Sequence, residues 1–202
     1  LDGKWNRMMS CVPPGYCAKY QMMPDIVAEP TDAYALPVEQ RAVELKHRVD
    51  LRKLKAKGSF RLLDGIGLDW VGLQMGEPHD AVQDASSLAS GRMDITLDGA
   101  AGLSEGAEPD SVTLCISTVP FWPMTLDRSN RIGVSVDGCG AVVCENRFEE
   151  WSLPWKIQVL ANRKDYLVTL PLGAGKRKHV LSLIIGDPGQ IVQRISYEYM
   201  KK

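Results

Sequence analysis

The stretch Gly186-Asp-Pro-Gly-Gln-Ile-Val-Gln-Arg-Ile195 decides the fold of this chain. Residues 179–185, which precede it, form an apolar run without a polar face, as is typical of a strand buried on both sides. The Asp-Pro-Gly segment indicates a tight turn, because Pro fixes φ and Gly accepts a positive φ. After the turn, apolar and polar residues alternate and predict a strand with one buried face, which carries Ile191, Ile195, Tyr197 and Tyr199. Strand, turn and closing strand together indicate an antiparallel β domain.

Similar patterns recur between turn residues along most of the chain. They predict further strands over residues 60–63, 70–75, 92–97, 111–118 and 166–170. Residues 131–145 predict a hairpin around Asp137-Gly138, a dipeptide suited to the twist of a two-residue hairpin turn. Eight or nine short antiparallel strands predict an all-β sandwich of the jelly-roll, carbohydrate-binding-module-like kind.

Three segments do not fit a simple strand pattern. Residues 38–50 mix apolar and charged side chains and are compatible with a strand or a helix. The basic run over residues 52–57 predicts a solvated face or loop. Residues 148–162 predict a helical excursion that Pro154 interrupts, because proline cannot donate a backbone hydrogen bond.

The first 30 residues differ from the rest of the chain. They combine several methionines and aromatic residues with Pro13, Pro14 and Gly15, which predicts the end of a short helix followed by an irregular loop. This segment is apolar enough to need a partner surface. We therefore interpret residues 1–30 as the remnant of a preceding helical domain and linker in a longer protein, and residues 31–202 as a C-terminal β-sandwich domain.

The composition argues against two classes of partner. A net charge of −1 over 202 residues creates no global field that would attract nucleic acid or an anionic membrane. No apolar run approaches the roughly 20 residues that span a bilayer. A hydrophobic content of 45% is instead normal for a domain with a substantial core.

Catalytic and metal-binding motifs are not evident in the sequence. The three histidines are far apart and stand in no known metal-binding frame, so we predict no metal, no cofactor and no catalytic residue. The tryptophans are more informative, because aromatic faces can stack on sugar rings. The sequence thus nominates Trp122, Trp151 and Trp155 as carbohydrate-binding residues, with packing into the core or beneath the helical excursion as the alternative.

Several short motifs, in the same order, resemble the C-terminal region of glycoside hydrolase family 115, the xylan α-glucuronidases. The stretch over residues 4–9 is similar to the family's K-W-x-x-M-M, and Gly15-Tyr16 and Met23-Pro24 follow it. Residues 63–68 resemble the family's glycine-rich turn. Further likeness lies in Thr118-Val-Pro-Phe121, in the S-x-D-G that ends at Gly138, in Trp155 to Asn162, and in Asp187 to Ile195.

The resemblance implies a function that the residues alone do not. It implies the accessory β-sandwich of a larger enzyme acting on plant polysaccharide (glucuronoxylan), outside the cytoplasm in an extracellular or periplasmic location. The expected partners are the catalytic module of the same chain, a second copy in a homodimer, and polysaccharide. The family's catalytic barrel would precede residue 1, so no catalytic residue is carried over. Tyr16 would lie in a loop at the edge of the active site.

The loop that contains Tyr16 departs from the family pattern. Relatives carry acidic and histidine residues where this chain has the stretch from Ser10 to Lys19, so the loop's role in relatives does not carry over directly. A free-standing carbohydrate-binding module is the alternative function. An autonomous hydrolase is disfavoured because the sequence offers no convincing pair of catalytic carboxylates.

Overall fold

The computed structural model describes residues 43, 45–77, 91–98, 109–122, 129–147, 149, 152–173, 176 and 178–201, all within the unit Gln40–Lys202. This part contains one α-helix, α1 (Leu153–Ala161), and a short 3-10 turn (Leu51–Lys53). The predicted strands are confirmed. Residues 1–30, which were predicted to be a helical remnant and linker, lie outside the described residues. The strands are β1 (His47–Arg48), β2 (Phe60–Asp64), β3 (Val71–Met75), β4 (Arg92–Leu97), β5 (Ser111–Thr118), β6 (Ser129–Val136), β7 (Val142–Arg147), β8 (Lys164–Pro171), β9 (His179–Ile185) and β10 (Gln190–Met200).

The strands form two antiparallel sheets. The six-stranded sheet has the order β2-β3-β10-β5-β8, with β1 also paired to β10, and the four-stranded sheet has the order β4-β9-β6-β7. Alternate side chains of both sheets point into one apolar core, as the period of a strand requires. Its fully buried members include Leu73, Leu97, Leu114, Ile132, Leu183 and Ile195. The prediction of an all-β antiparallel sandwich is confirmed.

The Asp-Pro-Gly turn carries the chain from one sheet to the other. It joins β9, an inner strand of the four-stranded sheet, to β10, an inner strand of the six-stranded sheet. Asp187 accepts hydrogen bonds from the backbone nitrogen of Arg131 at 2.6 Å and from its guanidinium at 2.9 and 3.0 Å. A Cβ on Gly186 would lie 2.3 Å from the carbonyl oxygen of Arg131, so only glycine fits this close approach.

A β-bulge in β10 changes the predicted burial pattern. The register of β10 against β5 shifts between Val192 and Arg194, which leaves Gln193 as the extra residue. Val192 therefore points into the core and is fully buried, whereas Ile191 is only half-buried. Placing Ile191 on the same face as Ile195 was wrong, because one inserted residue inverts the alternation of a strand.

The helix begins later than the sequence suggested. Ser152 caps α1 by accepting a hydrogen bond from the backbone nitrogen of Trp155, and Pro154 lies in the first turn. A proline there costs little, since the first helical nitrogens have no partner within the helix. Pro154 thus belongs to the start of the helix and does not interrupt it. Asn162 ends it in the left-handed conformation, with φ of 51°.

The hairpin turn between β6 and β7 carries a buried carboxylate. Asp137 and Gly138 have positive φ values of 57° and 78°, as the predicted hairpin turn requires. The Asp137 carboxylate accepts hydrogen bonds from the backbone nitrogens of Gly173 and Val180, both at 3.0 Å, and pairs with His179 Nδ1 at 2.7 Å. Burial opposes its ionisation, but these hydrogen bonds outweigh burial and lower the pKa of Asp137.

Replacing Asp187 tests the contact between the two sheets. Asp187→Ala leaves the mostly buried Arg131 guanidinium without its carboxylate, and we expect it to lower the free energy of unfolding by about 3 kcal/mol in urea titrations. The control is Arg92→Ala, which breaks a pair with Asp94 whose side chains are about half exposed and costs no more than about 1 kcal/mol. Equal losses in the two variants would contradict a special role for Asp187.

The carboxylate of Asp137 makes stability depend on pH. Its lowered pKa stabilises the fold above the unfolded-state pKa of about 3.9, and this stabilisation is lost as pH falls through the lower folded-state value. Asp137→Asn has no ionisable carboxylate and lacks this stabilisation. We therefore expect its free energy of unfolding to be about 1–3 kcal/mol lower than that of the wild-type chain at pH 7, and the difference to shrink below about pH 4.

Urea unfolding between pH 7 and pH 2.5 measures this difference. Asp64→Asn is the control, because the Asp64 side chain is 94% exposed. A deficit of Asp137→Asn that stays constant across this pH range would contradict the interpretation.

Candidate functional site

Two of the predicted carbohydrate-binding tryptophans meet in the structure. Trp122 follows β5 and Trp155 lies in the first turn of α1, and their ring centroids are 5.2 Å apart at an interplanar angle of 76°. Both side chains are half-buried. This edge-to-face contact stabilises the pair and leaves part of its surface exposed to solvent. Trp151 and Tyr16, the other predicted site residues, lie outside the described residues.

Carboxamide side chains accompany the aromatic pair. Gln158 lies one helical turn after Trp155 and exchanges two hydrogen bonds with Asn146 of β7, at 3.0 and 3.3 Å. Asn130 is the cross-strand neighbour of Asn146, and its Nδ2 donates to the carbonyl oxygen of Phe121 at 2.6 Å. Its buried Oδ1 has no hydrogen-bond partner among the described residues. Buried polar atoms are normally paired, and this oxygen is an exception that lies out of reach of solvent.

A second concave region lies where β10 changes partner. β3 pairs with β10 at residues 190–192, and β1 pairs with it at 196–197, so Gln193 and Arg194 face the gap between them. A cavity of about 270 Å³ opens there. Six of its nine lining residues carry polar or charged side chains, but most of the surface that they and the three aliphatic residues present to the cavity is apolar. The lining comprises Arg48, Val49, Asp50, Leu51, Arg52, Asp69, Val71, Gln193 and Arg194.

Three arginines converge on the loop between β2 and β3. Arg194 binds the Asp69 carboxylate with two hydrogen bonds of 2.9 and 3.0 Å, and Arg48 pairs with the same carboxylate. Arg52 donates to the carbonyl oxygens of Asp69 at 2.9 Å and Trp70 at 3.3 Å. The prediction that residues 52–57 are simply solvated was incomplete, because Arg52 fixes this loop.

The loop presents a tryptophan that the sequence did not nominate. Trp70 is 70% exposed and has a φ of 56°, a conformation that bulky residues rarely adopt. The loop closes through a hydrogen bond from the Gly65 nitrogen to the Trp70 carbonyl oxygen at 3.0 Å. The sequence placed Trp70 at the start of a strand, where alternation gave no reason to expect an exposed ring. The preceding Asp64-Gly-Ile-Gly67 was the available signal, since it marks a loop.

Gln193 ties this arginine-rich pocket to its surroundings. Its buried amide nitrogen donates to the carbonyl oxygens of Thr118 at 3.0 Å and Asn162 at 2.8 Å, and its Oε1 accepts from the Leu68 nitrogen at 2.8 Å. The bulge residue of β10 thus positions the end of β5, the end of α1 and the loop that carries Trp70.

The described residues contain no group of three or more His, Cys, Asp or Glu arranged to hold a metal ion. His47 stacks on Tyr197 with ring centroids 5.3 Å apart, and His179 contacts Asp137. No helix in the described part of the chain is long and apolar enough to cross a membrane.

Comparison with known proteins shows a likeness of fold alone. No protein-family model matches the sequence, and no curated protein matches it. Among solved structures, it is similar to a family GH115 4-O-methyl-α-glucuronidase with specificity for decorated arabinogalactans, with a TM-score of 0.58 and 18% identity. Two structures of an exo-β-1,3-galactanase from Phanerochaete chrysosporium align at TM-scores of 0.48 and 0.49, with 12% and 14% identity.

The alignments cover much of this chain and little of its neighbours. The GH115 alignment covers 79% of this chain and 18% of the enzyme, so this chain spans less than a fifth of that length. Each galactanase alignment covers 78% of this chain and 30% of the galactanase. Identity at this level indicates a distant structural relationship to the GH115 enzyme.

The amide pair beside the tryptophans offers a test of how this region is held. Gln158→Ala leaves the buried amide of Asn146 without its partner, so we expect a loss of about 1–3 kcal/mol in the free energy of unfolding. Lys156→Ala, at an exposed position of the same helix, should change it by less than about 0.5 kcal/mol. Matching stabilities of the two variants in urea would show that the amide pair contributes nothing.

Proposed function

We propose that this chain is a non-catalytic C-terminal accessory domain of a glycoside hydrolase family 115-like protein that acts on plant polysaccharide. The observation that carries the proposal is the extent of the structural alignment, which covers most of this chain but less than a fifth of the GH115 enzyme. A domain that matches so small a part of an enzyme fits an accessory module better than a complete catalytic unit.

The positions of the resemblance motifs support this proposal. Asp187, in the closing motif, forms the ion pair with Arg131, and Asn162 ends α1 and accepts a hydrogen bond from Gln193. These motif residues therefore hold the sandwich together. A chain that contains these residues can form this fold even if the parent enzyme is inactive.

Surface apolar residues on α1 support a role in packing. Leu153 is 68% exposed, Leu160 is 72% exposed and Val159 is 48% exposed. Exposed apolar side chains grouped on one short helix are typical of a surface that another protein surface covers. We assign this surface to the contact with a second copy of the chain in a homodimer, and we propose the catalytic module of the same chain as a further partner.

The aromatic pair supports contact with a glycan. Trp122 and Trp155 offer partly exposed aromatic rings, and the apolar faces of sugar rings can stack on such rings. The same observation favours the second candidate, a free-standing carbohydrate-binding module, which would bind polysaccharide at this pair without any catalytic partner. Action on plant polysaccharide would place the protein outside the cytoplasm, in an extracellular or periplasmic location.

Glycan contact is tested by replacing one tryptophan of the pair. We expect glucuronoxylan or arabinogalactan to retard the chain in affinity gels, and Trp155→Ala to remove most of the retardation because it deletes one ring of the stacking surface. Lys156→Ala is the matched control on the same helix and should be retarded normally. Normal retardation of a folded Trp155→Ala variant would contradict contact at this pair.

Two further measurements separate the candidate functions. Incubation of the chain with glucuronoxylan should release no uronic acid, and measurable release would overturn the non-catalytic assignment. Sedimentation at micromolar concentrations should show a dimer that Leu160→Asp weakens, because a charge replaces an exposed apolar contact. A monomeric wild-type chain that still binds polysaccharide would favour the free-standing module.

A further inference from the structure

We propose that Trp70 and the adjoining arginine-rich pocket form a binding site for an anionic sugar residue. The sugar ring would stack on Trp70, and a carboxylate or sulfate group would contact the arginines in the gap between β1 and β3. The site shares no residue with the Trp122–Trp155 pair. The inference therefore holds or fails independently of the function proposed above.

The charges of the pocket favour an anion. Its lining contains three guanidinium groups and two carboxylates, which leaves an excess of positive charge. The side chains of Arg48 and Arg52 are 47% and 55% exposed, so solvent and ligands reach them. A planar guanidinium presents paired donors that match the geometry of carboxylate and sulfate oxygens.

The shape and walls of the pocket favour a single sugar residue. A cavity of about 270 Å³ lies just below the usual range for small-molecule sites, roughly 300–1,000 Å³, and is too small for an extended chain. Most of its lining surface is apolar, and Val49, Leu51 and Val71 contribute to it. Trp70 does not line the cavity itself, but its chain neighbours Asp69 and Val71 do, so a ring stacked on Trp70 would lie at the edge of the cavity. A pyranose ring has the matching character, with C–H groups on its faces and polar groups on its edge.

The loop is held in place by contacts within the protein. Arg194 fixes the Asp69 carboxylate, Arg52 fixes the carbonyl oxygens of Asp69 and Trp70, and Gln193 holds Leu68. A site with its groups already in position loses less conformational freedom when a ligand binds. The arginines therefore have two roles, since they order the loop and supply positive charge at its side.

The conformation of Trp70 is the second observation that indicates a ligand. A bulky residue at a φ of 56° is strained, and glycine would adopt this conformation without cost. The strained residue also exposes 70% of a large apolar ring to water. Strain and exposure at one aromatic residue beside a charged pocket are typical of a binding position.

The test measures binding by isothermal titration calorimetry with three defined tetrasaccharides. Tetragalacturonic acid carries carboxylates, a κ-carrageenan tetrasaccharide carries sulfates, and xylotetraose is neutral. We expect one or both anionic probes to bind, and 0.5 M NaCl to weaken that binding because salt screens charge. Xylotetraose should bind more weakly than the anionic probes at low salt.

Three variants locate the binding. Trp70→Gly keeps the backbone conformation and removes the ring, and we expect it to weaken binding by roughly tenfold, equivalent to about 1.4 kcal/mol. Arg48→Gln should weaken the binding of the anionic probes by a similar factor. Arg61→Gln is the matched control, because Arg61 is exposed on β2, pairs with Glu77 and does not line the pocket.

Each outcome bears on the proposal. Loss of binding in Trp70→Gly and Arg48→Gln but not in Arg61→Gln would support the site. The anionic probe that binds more tightly would show whether the site prefers a carboxylate or a sulfate group. Binding that is insensitive to salt and to Arg48→Gln would overturn the anionic assignment. A folded chain that binds none of the probes, or whose binding is lost in Trp155→Ala but kept in Trp70→Gly, would overturn the site while leaving the accessory function intact.

Discussion

The buried ion pair between Asp187 and Arg131 is the contact on which the rest of the sandwich depends. It lies where the chain leaves the four-stranded sheet after β9 and enters the six-stranded sheet at β10. The carboxylate of Asp187 binds both the backbone and the guanidinium of Arg131, so it fixes the connection against β6 in position and orientation. Bidentate, charge-assisted hydrogen bonds of this kind are among the most geometrically specific in proteins. The ion pair fixes the turn that precedes β10. It thereby sets where β10 enters its sheet, and the positions of its partners β1, β3 and β5 depend on that.

Sequence patterns predicted the strands well because burial of one face gives an alternating pattern, as in β4, and burial of both faces gives a continuous apolar run, as in β9. The apolar run of β9 and the Asp137-Gly138 turn were sufficient to predict their elements. Sheet membership was not predictable in the same way, because it depends on pairing between residues distant in sequence, such as His47 with Tyr197. The bulge at Gln193 could not be predicted from the sequence, for a different reason. A single inserted residue leaves no signature in composition, yet it exchanges the faces of Ile191 and Val192.

The two candidate sites differ in how far sequence could predict them. Tryptophans are few and chemically distinctive, so Trp122 and Trp155 could be nominated together before their contact was known. The pocket beside Trp70 is assembled from Arg48, Arg52 and Arg194, which become neighbours only because β1 and β3 leave a gap along β10. Arginines occur on most protein surfaces, so only the fold distinguishes these three from the others. The strain at Trp70 likewise depends on a loop conformation that hydrophobic patterning does not encode.

The position of β10 has a consequence for how quickly the domain folds. β10 pairs with β1, β3 and β5, so the six-stranded sheet is held together by contacts between residues that are distant in sequence. Such pairings require large loops to close before their hydrogen bonds and burial compensate for the lost chain entropy. The paired hairpins β2–β3 and β6–β7 close much shorter loops and can form early. Folding of the whole sandwich then depends on the docking of β10. Until β10 docks, the edges of β3 and β5 that pair with it remain open to pairing with other chains.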